Sequence, residues 1–431
     1  MHNFQLSLFY DYNAIVLFSD FYRKYDALYS VLDLSDFPSV NTGVGNTGYS
    51  RHAILRALIV KHLEEIKSVP RLIKFLDAHP MLTEMCGFSM GCLPDESQFY
   101  RFLQNTPNGR IQEIHNRANN ILIETGTATL DTFVIDSKPV KAATRENNHK
   151  NPNRNTKNKD KIPRRNPQAT LSYYSYQKKT DGSKSFEFFW GYRTHVITSI
   201  EGIPLVETTL PNNRTDAKVA KTLIKKLKRL YKFKKGVFFI ADAAYDERDT
   251  YEFIIGQLKC NAFIPLNPRN TQQPKSFGPH GSPVCDAGLE MIFDGVWRER
   301  KRNRIKFRCP ITTTRKHTLS APETCPVQHP RFTDSARYGC TKYLDATDDA
   351  RSRVPRATSF FKNTYKKRIV VEQYFARLGE REAEQTTHYK LRSVKNQMTI
   401  AHLAQSLVAL AAVRLHRPEK IRCYRTFAQA S

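Results

Sequence analysis

The chain has 431 residues, of which 40% are hydrophobic and 11% are aromatic. This apolar content can bury a core and excludes a disordered protein, and the length favours at least two domains. Lysine and arginine total 68 against 41 acidic residues, for a formal charge of +27. Such an excess goes well beyond what solubility requires, so it predicts a polyanionic partner such as nucleic acid.

The N-terminal segment and the cysteines indicate where the protein works. Residues 1–18 contain Asp11 and lack a basic start, which is not typical of a secretory signal. The most apolar late segment, 406–415, is about half the roughly 20 residues that cross a bilayer. The eight cysteines are therefore expected to be reduced thiols or metal ligands. We expect a cytoplasmic protein without a membrane partner.

The first part of the chain, residues 1–128, is predicted to be helical. Apolar residues recur at steps of three and four over 54–66. A second helix carries Pro70 in its first turn and is closed by Pro80. Asp95 with a glutamine three residues later is typical of a capping box. Short helices with tight turns suit DNA contact, whereas a bundle used for dimerisation or packing has the same periodicity.

The pattern changes to that of strands after Gly126. Residues 132–136 form an apolar run that ends in Asp136. The segment 141–165 then carries nine lysines and arginines against two acids, with hardly any apolar residue. Because it cannot fold alone, it either clamps a DNA backbone and orders on binding or remains a solvated loop.

The next segment has the order of a mixed α/β sheet. Two strands flank the turn at 201–202 and predict a hairpin. Asp216 begins an amphipathic helix whose lysines lie largely outside its apolar stripe. Residues 236–242 form a continuously apolar strand, which is typical of the middle of a sheet. A helix near 248–258 and a strand at 261–266 follow, so we expect an α/β fold flanked by helices.

Residues 268–355 interrupt this pattern and are predicted to be an insertion with irregular short strands. Helices return at about 360–382 and 393–415. Trp297 of the insertion, set among arginines and a lysine, either stacks on an extruded base or anchors the insertion's own small core, the interpretation we prefer.

Four cysteines also lie in the insertion. The gaps between them are 23, 15 and 14 residues and contain no C-x2-C pair. This spacing favours free reduced thiols, with a zinc site as the less favoured alternative. The four residues are Cys285, Cys309, Cys325 and Cys340.

Three acids form the candidate chemical site. Asp136 and Asp242 each end an apolar strand, where a charge must be solvated, paired or bound to metal. If those strands are parallel neighbours, the two carboxylates emerge together at the edge where open α/β sheets bind ligands. A third acid, Glu372, shares a helical face with Tyr365 and Arg368. Taken singly, each acid is more readily a surface or capping carboxylate.

Clustered carboxylates repel one another unless cations neutralise them. Hard oxygen ligands select magnesium or manganese. Two such ions about 3.5 to 4 Å apart suit in-line attack at phosphorus. The constellation therefore favours phosphodiester chemistry.

These residues resemble the DDE transposases of bacterial insertion sequences, and the resemblance covers nearly the whole chain. Residues 191–195 and 212–216 are similar to the family's hairpin region. The motifs that carry the resemblance are Ile135-Asp136-Ser137-Lys138-Pro139, Ala241-Asp242-Ala243-Ala244-Tyr245-Asp246 and Tyr365-x2-Arg368-x3-Glu372.

The resemblance implies an RNase H-like fold with a mixed five-stranded sheet of order 3-2-1-4-5. It also implies transposition by end cleavage and strand transfer, with Asp136, Asp242 and Glu372 as catalytic residues that bind Mg²⁺, for which Mn²⁺ can substitute. The expected partners are terminal inverted repeats, target DNA and a second copy of the chain, in the bacterial cytosol at the nucleoid. The residues expected to bind DNA are Tyr365, Arg368, Lys138, Arg377, Arg193, Lys157, Lys159, Lys161 and Trp297.

The same resemblance divides the chain into an N-terminal DNA-binding domain, a catalytic core in two parts and an insertion. The corresponding ranges are 1–128 for the N-terminal domain, 129–267 for the first part of the core with its basic loop at 141–165, 268–355 for the insertion and 356–431 for the C-terminal helices of the core.

The sequence departs from the family pattern at two positions. Gly379 stands seven residues after Glu372, where a lysine or arginine is usual, and Arg377 or Arg381 is the expected substitute. Ala244 stands where glycine commonly precedes the tyrosine. A metal-dependent nuclease of similar fold and a catalytically silent DNA-binding relative remain the alternative functions.

Overall fold

The computed structural model divides into two compact units, Met1–Ile264 with Arg356–Ser431 and Pro265–Pro355. Three predicted DNA-binding residues, Lys157, Lys159 and Lys161, lie outside the described residues, as does Arg381, one of the two expected substitutes for a basic residue at position 379. The structure describes residues 16, 19–40, 47–147, 162–163, 165–177, 184–213, 216–267, 276–299, 302–312, 322, 324–328, 339–380 and 383–429.

The front of the chain is helical, as predicted. Ser19, Ser50 and Asp95 each accept a hydrogen bond from the first turn of a helix, which satisfies an otherwise unpaired N–H. Pro80 does more than close the preceding helix, since it occupies the first position of another, where its missing N–H costs nothing. The helices are α1 (Asp20–Val31), α2 (Arg51–Leu63), α3 (Val69–Asp77), α4 (Pro80–Cys86), α5 (Glu96–Asn105) and α6 (Asn108–Glu124).

A six-stranded mixed sheet follows, one strand more than predicted. Its path runs β2-β3-β1-β5-β6, and β4 also pairs with β3. β1, β5 and β6 are parallel, whereas β2, β3 and β4 pair antiparallel. The extra strand is β2, which pairs with the first half of β3. The strands are β1 (Thr132–Lys141), β2 (Thr170–Gln177), β3 (Lys184–Ser199), β4 (Pro204–Pro211), β5 (Phe238–Ala241) and β6 (Asn261–Phe263).

Helices flank this sheet. α7 (Asp216–Leu230) buries the predicted apolar stripe. α8 (Arg248–Tyr251) continues as a π-helical segment over Glu252–Gln257. Near the end of the chain, a 3₁₀ turn at Lys366–Arg368 separates two helices. The two helices are α9 (Ser359–Tyr365) and α10 (Ile369–Glu380).

The last helix, α11 (Leu391–Arg414), joins the front helices to the sheet. It is buried over most of its 24 residues and packs against α6, α5, α1 and β4. Two of its buried polar side chains are paired with the front helices and the sheet: Asn396 donates to the Leu103 and Thr106 carbonyls, and Thr399 donates to Glu207. Unpaired, each such group would cost about 1–3 kcal/mol. Within the described ranges, no helix is long and apolar enough to cross a bilayer.

The unit Pro265–Pro355 has a small core of its own. A three-stranded antiparallel sheet covers a buried cluster of Met291, Phe307 and three cysteines. Trp297 is 59% exposed and lies outside that cluster, so the interpretation of it as a core anchor is wrong. The strands are β7 (Ile292–Glu299), β8 (Arg302–Arg308) and β9 (Thr341–Asp345).

Candidate active site

Asp136 and Asp242 lie next to each other where the pairing of β1 with β5 ends, with Asp136 in the middle of β1 and Asp242 directly after β5. The prediction that Asp136 ends its strand is wrong, because β1 continues to Lys141 through its pairing with β3. β1 and β5 are parallel neighbours, and Ile135 pairs with Ala241, so the next residue of each chain segment stands at the same edge. The N–H of Ser137 donates to Asp136 Oδ1 at 2.8 Å and helps to hold that carboxylate. The predicted parallel pairing of the two strands is confirmed.

The third predicted carboxylate, Glu372, is connected to Asp136 through Arg368. Arg368 Nη2 lies 2.8 Å from Glu372 Oε1, and Nη1 lies 3.6 Å from Asp136 Oδ2. The Glu372 side chain is 49% exposed, whereas that of Arg368 is 19% exposed. One guanidinium thus bridges two of the three acids and supplies positive charge between them.

Burial dominates the electrostatics of the two aspartates. It raises the pKa of Asp136 from 3.8 to about 7, against the opposing effects of the Ser137 N–H and Arg368, and with further help from the charge of Asp242. Burial also raises the pKa of Asp242. Ionised carboxylates at this edge are costly unless a cation compensates them.

Asp136→Asn is expected to stabilise the protein in the presence of a chelator. Above about pH 7 the buried Asp136 carboxylate is ionised in the folded state, and its desolvation lowers the free energy of unfolding. As the pH falls towards about 4 this destabilisation disappears, because Asp136 is then protonated in the folded state and increasingly also in the unfolded state. We expect a gain of about 1–3 kcal/mol in unfolding free energy near pH 8 and no gain near pH 4. Urea unfolding at both pH values measures this. Asp77→Asn, at an exposed position, is the control, and equal effects of the two variants would contradict the prediction.

A fourth carboxylate, which the sequence did not identify, lies beside the aspartates. Ser137 Oγ donates to Asp216 Oδ1 at 2.9 Å, and Arg193 Nη1 lies 3.4 Å from Oδ2. His195 Nδ1 lies 3.5 Å from the same carboxylate, and burial lowers the pKa of His195 to about 3, so its ring is neutral. Residues 212–216 were noted for their similarity to the family, but an acid at the start of a helix is usually explained by its favourable interaction with the helix N-terminus.

Lys138 fills the space beside Gly379. Its Nζ lies 2.8 Å from the Phe375 carbonyl oxygen and 2.6 Å from Glu384 Oε1. A Cβ on Gly379 would stand 2.8 Å from that Nζ and 2.5 Å from Glu384 Oε1. The glycine therefore leaves room for a cation that comes from β1 instead of from α10.

Of the other predicted DNA-binding residues of this unit, Tyr365 and Arg193 lie near the acids, whereas Arg377 lies elsewhere. Burial raises the pKa of Tyr365 and the charges of the three acids add to the rise, so this tyrosine lies near them. Arg193 donates to Ser137 Oγ at 3.0 Å. Arg377 instead lies against the β3–β4 turn, 3.4 Å from the position of a Cβ on Gly202.

The donor set fits a hard divalent cation in its chemistry. Carboxylate oxygens are the ligands that Mg²⁺ and Mn²⁺ prefer, and buried acids with raised pKa values gain most from a neighbouring cation. Among the residues described, no three His, Cys, Asp or Glu side chains lie close enough to hold an ion as they stand. Arg368 currently occupies the bridging position between Asp136 and Glu372.

Comparison with known proteins decides the family. The model of the Transposase DDE domain matches residues 127–407, well over half of the chain. The chain belongs to the DDE transposase family. In this transposase the model of the Transposase domain (DUF772) matches residues 7–105, which covers most of the front helices. The family predicted from the sequence is thereby confirmed.

Two further comparisons add little to this. No curated protein matches this transposase in sequence. A solved structure, the synaptic complex of piggyBac transposase with hairpin DNA, is similar over 98% of this chain and 79% of that chain. The identity is 9% and the TM-score 0.36, which is too low to support an argument from it.

Proposed function

We propose that this transposase cuts DNA at the ends of a transposon and joins the freed 3′ ends to target DNA. The observation that supports the proposal is the position of Asp136 and Asp242 where the parallel pairing of β1 with β5 ends, with Arg368 lying between Asp136 and Glu372. Three carboxylates so placed suit two-metal phosphoryl transfer.

Asp136, Asp242 and Glu372 would hold Mg²⁺, with Mn²⁺ as a substitute. The ions would supply the charge that activates an oxygen nucleophile and stabilises the leaving oxygen. The Ser137 N–H orients Asp136, and Arg368 sits where its guanidinium could also bind a phosphate oxygen.

The sheet is proposed to be the RNase H-like core of the family. Strands β4, β3, β1, β5 and β6 follow one another in space in that order, and with β2 set aside this is the order 3-2-1-4-5. The front helices would contact terminal repeats, and the insertion would present Trp297, exposed on β7, to DNA. The working complex is proposed to hold two copies of the chain on cytoplasmic, nucleoid-associated DNA.

DNA contacts beside the carboxylates are proposed for Tyr365, Arg368, Lys138 and Arg193. Arg368 contacts Asp136, and Arg193 donates to Ser137. Tyr365 lies near enough to the acids for their charges to raise its pKa, and Lys138 lies two residues after Asp136 and donates to the Phe375 carbonyl. The lysines at 157, 159 and 161 are proposed to contact phosphates because of the basic composition of their segment. The position of Arg377 against the β3–β4 turn gives it no part in this set.

The test is an assay of paired transposon-end DNA with purified protein and Mg²⁺. We expect nicked or cleaved ends followed by joined products when target DNA is added, and neither in the presence of a chelator. Cleavage without joining would favour the nuclease alternative. DNA binding with no cleavage in either Mg²⁺ or Mn²⁺ would favour the catalytically silent relative and contradict the proposal.

A further inference from the structure

We propose that Cys285, Cys309, Cys325 and Cys340 form a tetrahedral zinc site that stabilises the unit Pro265–Pro355. The spacing of these cysteines argued for free thiols, but strand pairing brings distant residues together. Four sulfur ligands would select zinc over magnesium or manganese. The site would be structural and separate in chemistry from the carboxylates.

The contacts of β8 and β9 place Cys309 beside Cys340. These two residues flank the paired strand ends, and the Cys309 N–H donates to the Cys340 carbonyl at 2.9 Å. Gly339 packs so closely that a Cβ there would stand 2.9 Å from the Cβ of Cys309. The 14 or more residues between successive cysteines in the sequence therefore do not prevent these cysteines from binding the same ion.

Lys342 links the same strand to Cys285. Its Nζ lies 3.0 Å from the Val284 carbonyl oxygen and 3.3 Å from Asp286 Oδ1, the two neighbours of Cys285. The lysine is only 7% exposed. An ammonium in this position would also offset the net negative charge of zinc bound by four thiolates.

Two of the cysteines begin tight turns of the same kind. The Gly288 N–H donates to the Cys285 carbonyl, and the Gln328 N–H donates to that of Cys325. The fourth residue of each turn has a positive φ, 77° at Gly288 and 44° at Gln328. Turns of this shape direct successive N–H groups to one side, where they can stabilise a thiolate.

The described apolar core of the unit is small. Among the described residues its buried cluster has five members, and three of them are cysteines at 2–8% exposure. Small apolar cores commonly need a metal or a disulfide as a staple. Cys340 lies close enough to Cys309, Cys285 and Cys325 for the four thiols to influence one another electrostatically.

In the described structure no three of the thiols already lie at ligand distances. Because structural zinc sites form together with the fold, binding is expected to draw the cysteines, including the half-buried Cys325, into a closed set. Zinc addition should then raise the thermal stability of the unit as well as the zinc content.

The experiment measures zinc in the full chain, purified with a reducing agent and without chelators. We expect roughly one zinc per chain in wild type and in Asp242→Ala, and less than about a tenth of that in a Cys285→Ser/Cys340→Ser variant. Cys92→Ser, at an exposed position outside the unit, is the matched control and should keep its zinc. Equal zinc in the double variant and the control would overturn the site.

A second measurement needs no substitution. Wild-type protein is alkylated with and without zinc and the modified cysteines are identified by mass spectrometry. Zinc should protect all four cysteines of the insertion and leave Cys92 reactive. Absence of zinc from wild type after incubation with the ion, or unchanged labelling of the four thiols, would overturn the proposal. Neither measurement depends on DNA cleavage, so the result is independent of the proposed activity.

Discussion

Asp242→Asn is expected to slow end cleavage by roughly 1000-fold or more, about 4 kcal/mol of transition-state stabilisation. Asparagine can still accept the hydrogen bond that the Ala244 N–H donates to Asp242 at 2.9 Å. The variant therefore removes the negative charge while retaining the local backbone contact. Cleavage rates on pre-nicked and intact ends, with DNA binding measured in parallel, would separate lost chemistry from lost affinity.

Asp249→Asn is the matched control, since this acid is exposed and lies in the helix that follows. It should cleave at the wild-type rate. Asp242→Cys provides a further discrimination, because a thiolate binds Mn²⁺ better than Mg²⁺ and should recover activity only with manganese. Near-wild-type cleavage by Asp242→Asn in Mg²⁺ would remove Asp242 from the catalytic set.

Helices and strands that have a clear pattern of apolar residues in their own segment could be predicted from the sequence. The runs that end at Asp136 and Asp242 are apolar, as expected for strands covered on both faces, whereas their parallel pairing followed only from the strand order that the family resemblance implies. β2 was missed although its threonine and tyrosine residues favour a strand, and it pairs with the first half of β3. The π-helical segment at Glu252–Gln257 has no signal in the apolar period.

Within the candidate site, residues that are close in the sequence could be grouped, whereas contacts between distant residues could not be predicted. Tyr365, Arg368 and Glu372 could be grouped from helical spacing alone, although a 3₁₀ turn interrupts the helix between them. The placement of Lys138 beside Gly379 could not be predicted, because it joins a strand to a helix more than 200 residues later. Asp216 was hidden for the same reason, since its partners Ser137 and Arg193 come from other strands.

Gly191→Ala is expected to lower the free energy of unfolding by about 2–4 kcal/mol, at the upper end of the effects of overpacking. Gly191 lies in β3 between β1 and β2, opposite Lys141 and Thr170. A Cβ there would stand 2.3 Å from the Val140 carbonyl oxygen, a distance that only a backbone shift can relieve. Since β3 is paired on both sides, the shift would have to move β1 or break its hydrogen bonds.

Gly109→Ala is the control for this substitution, because the position is helical and a Cβ there meets nothing within 4 Å. This substitution should leave the free energy of unfolding unchanged or raise it slightly, because alanine reduces the conformational entropy of the unfolded chain. Urea unfolding of both variants measures the difference. β1 also carries Asp136, so in Gly191→Ala a displaced β1 should reduce cleavage even at temperatures where the protein stays folded. Equal stability of the two variants would mean that the strands separate at Val140 without cost, and the close approach at Gly191 would then have no role in holding the site.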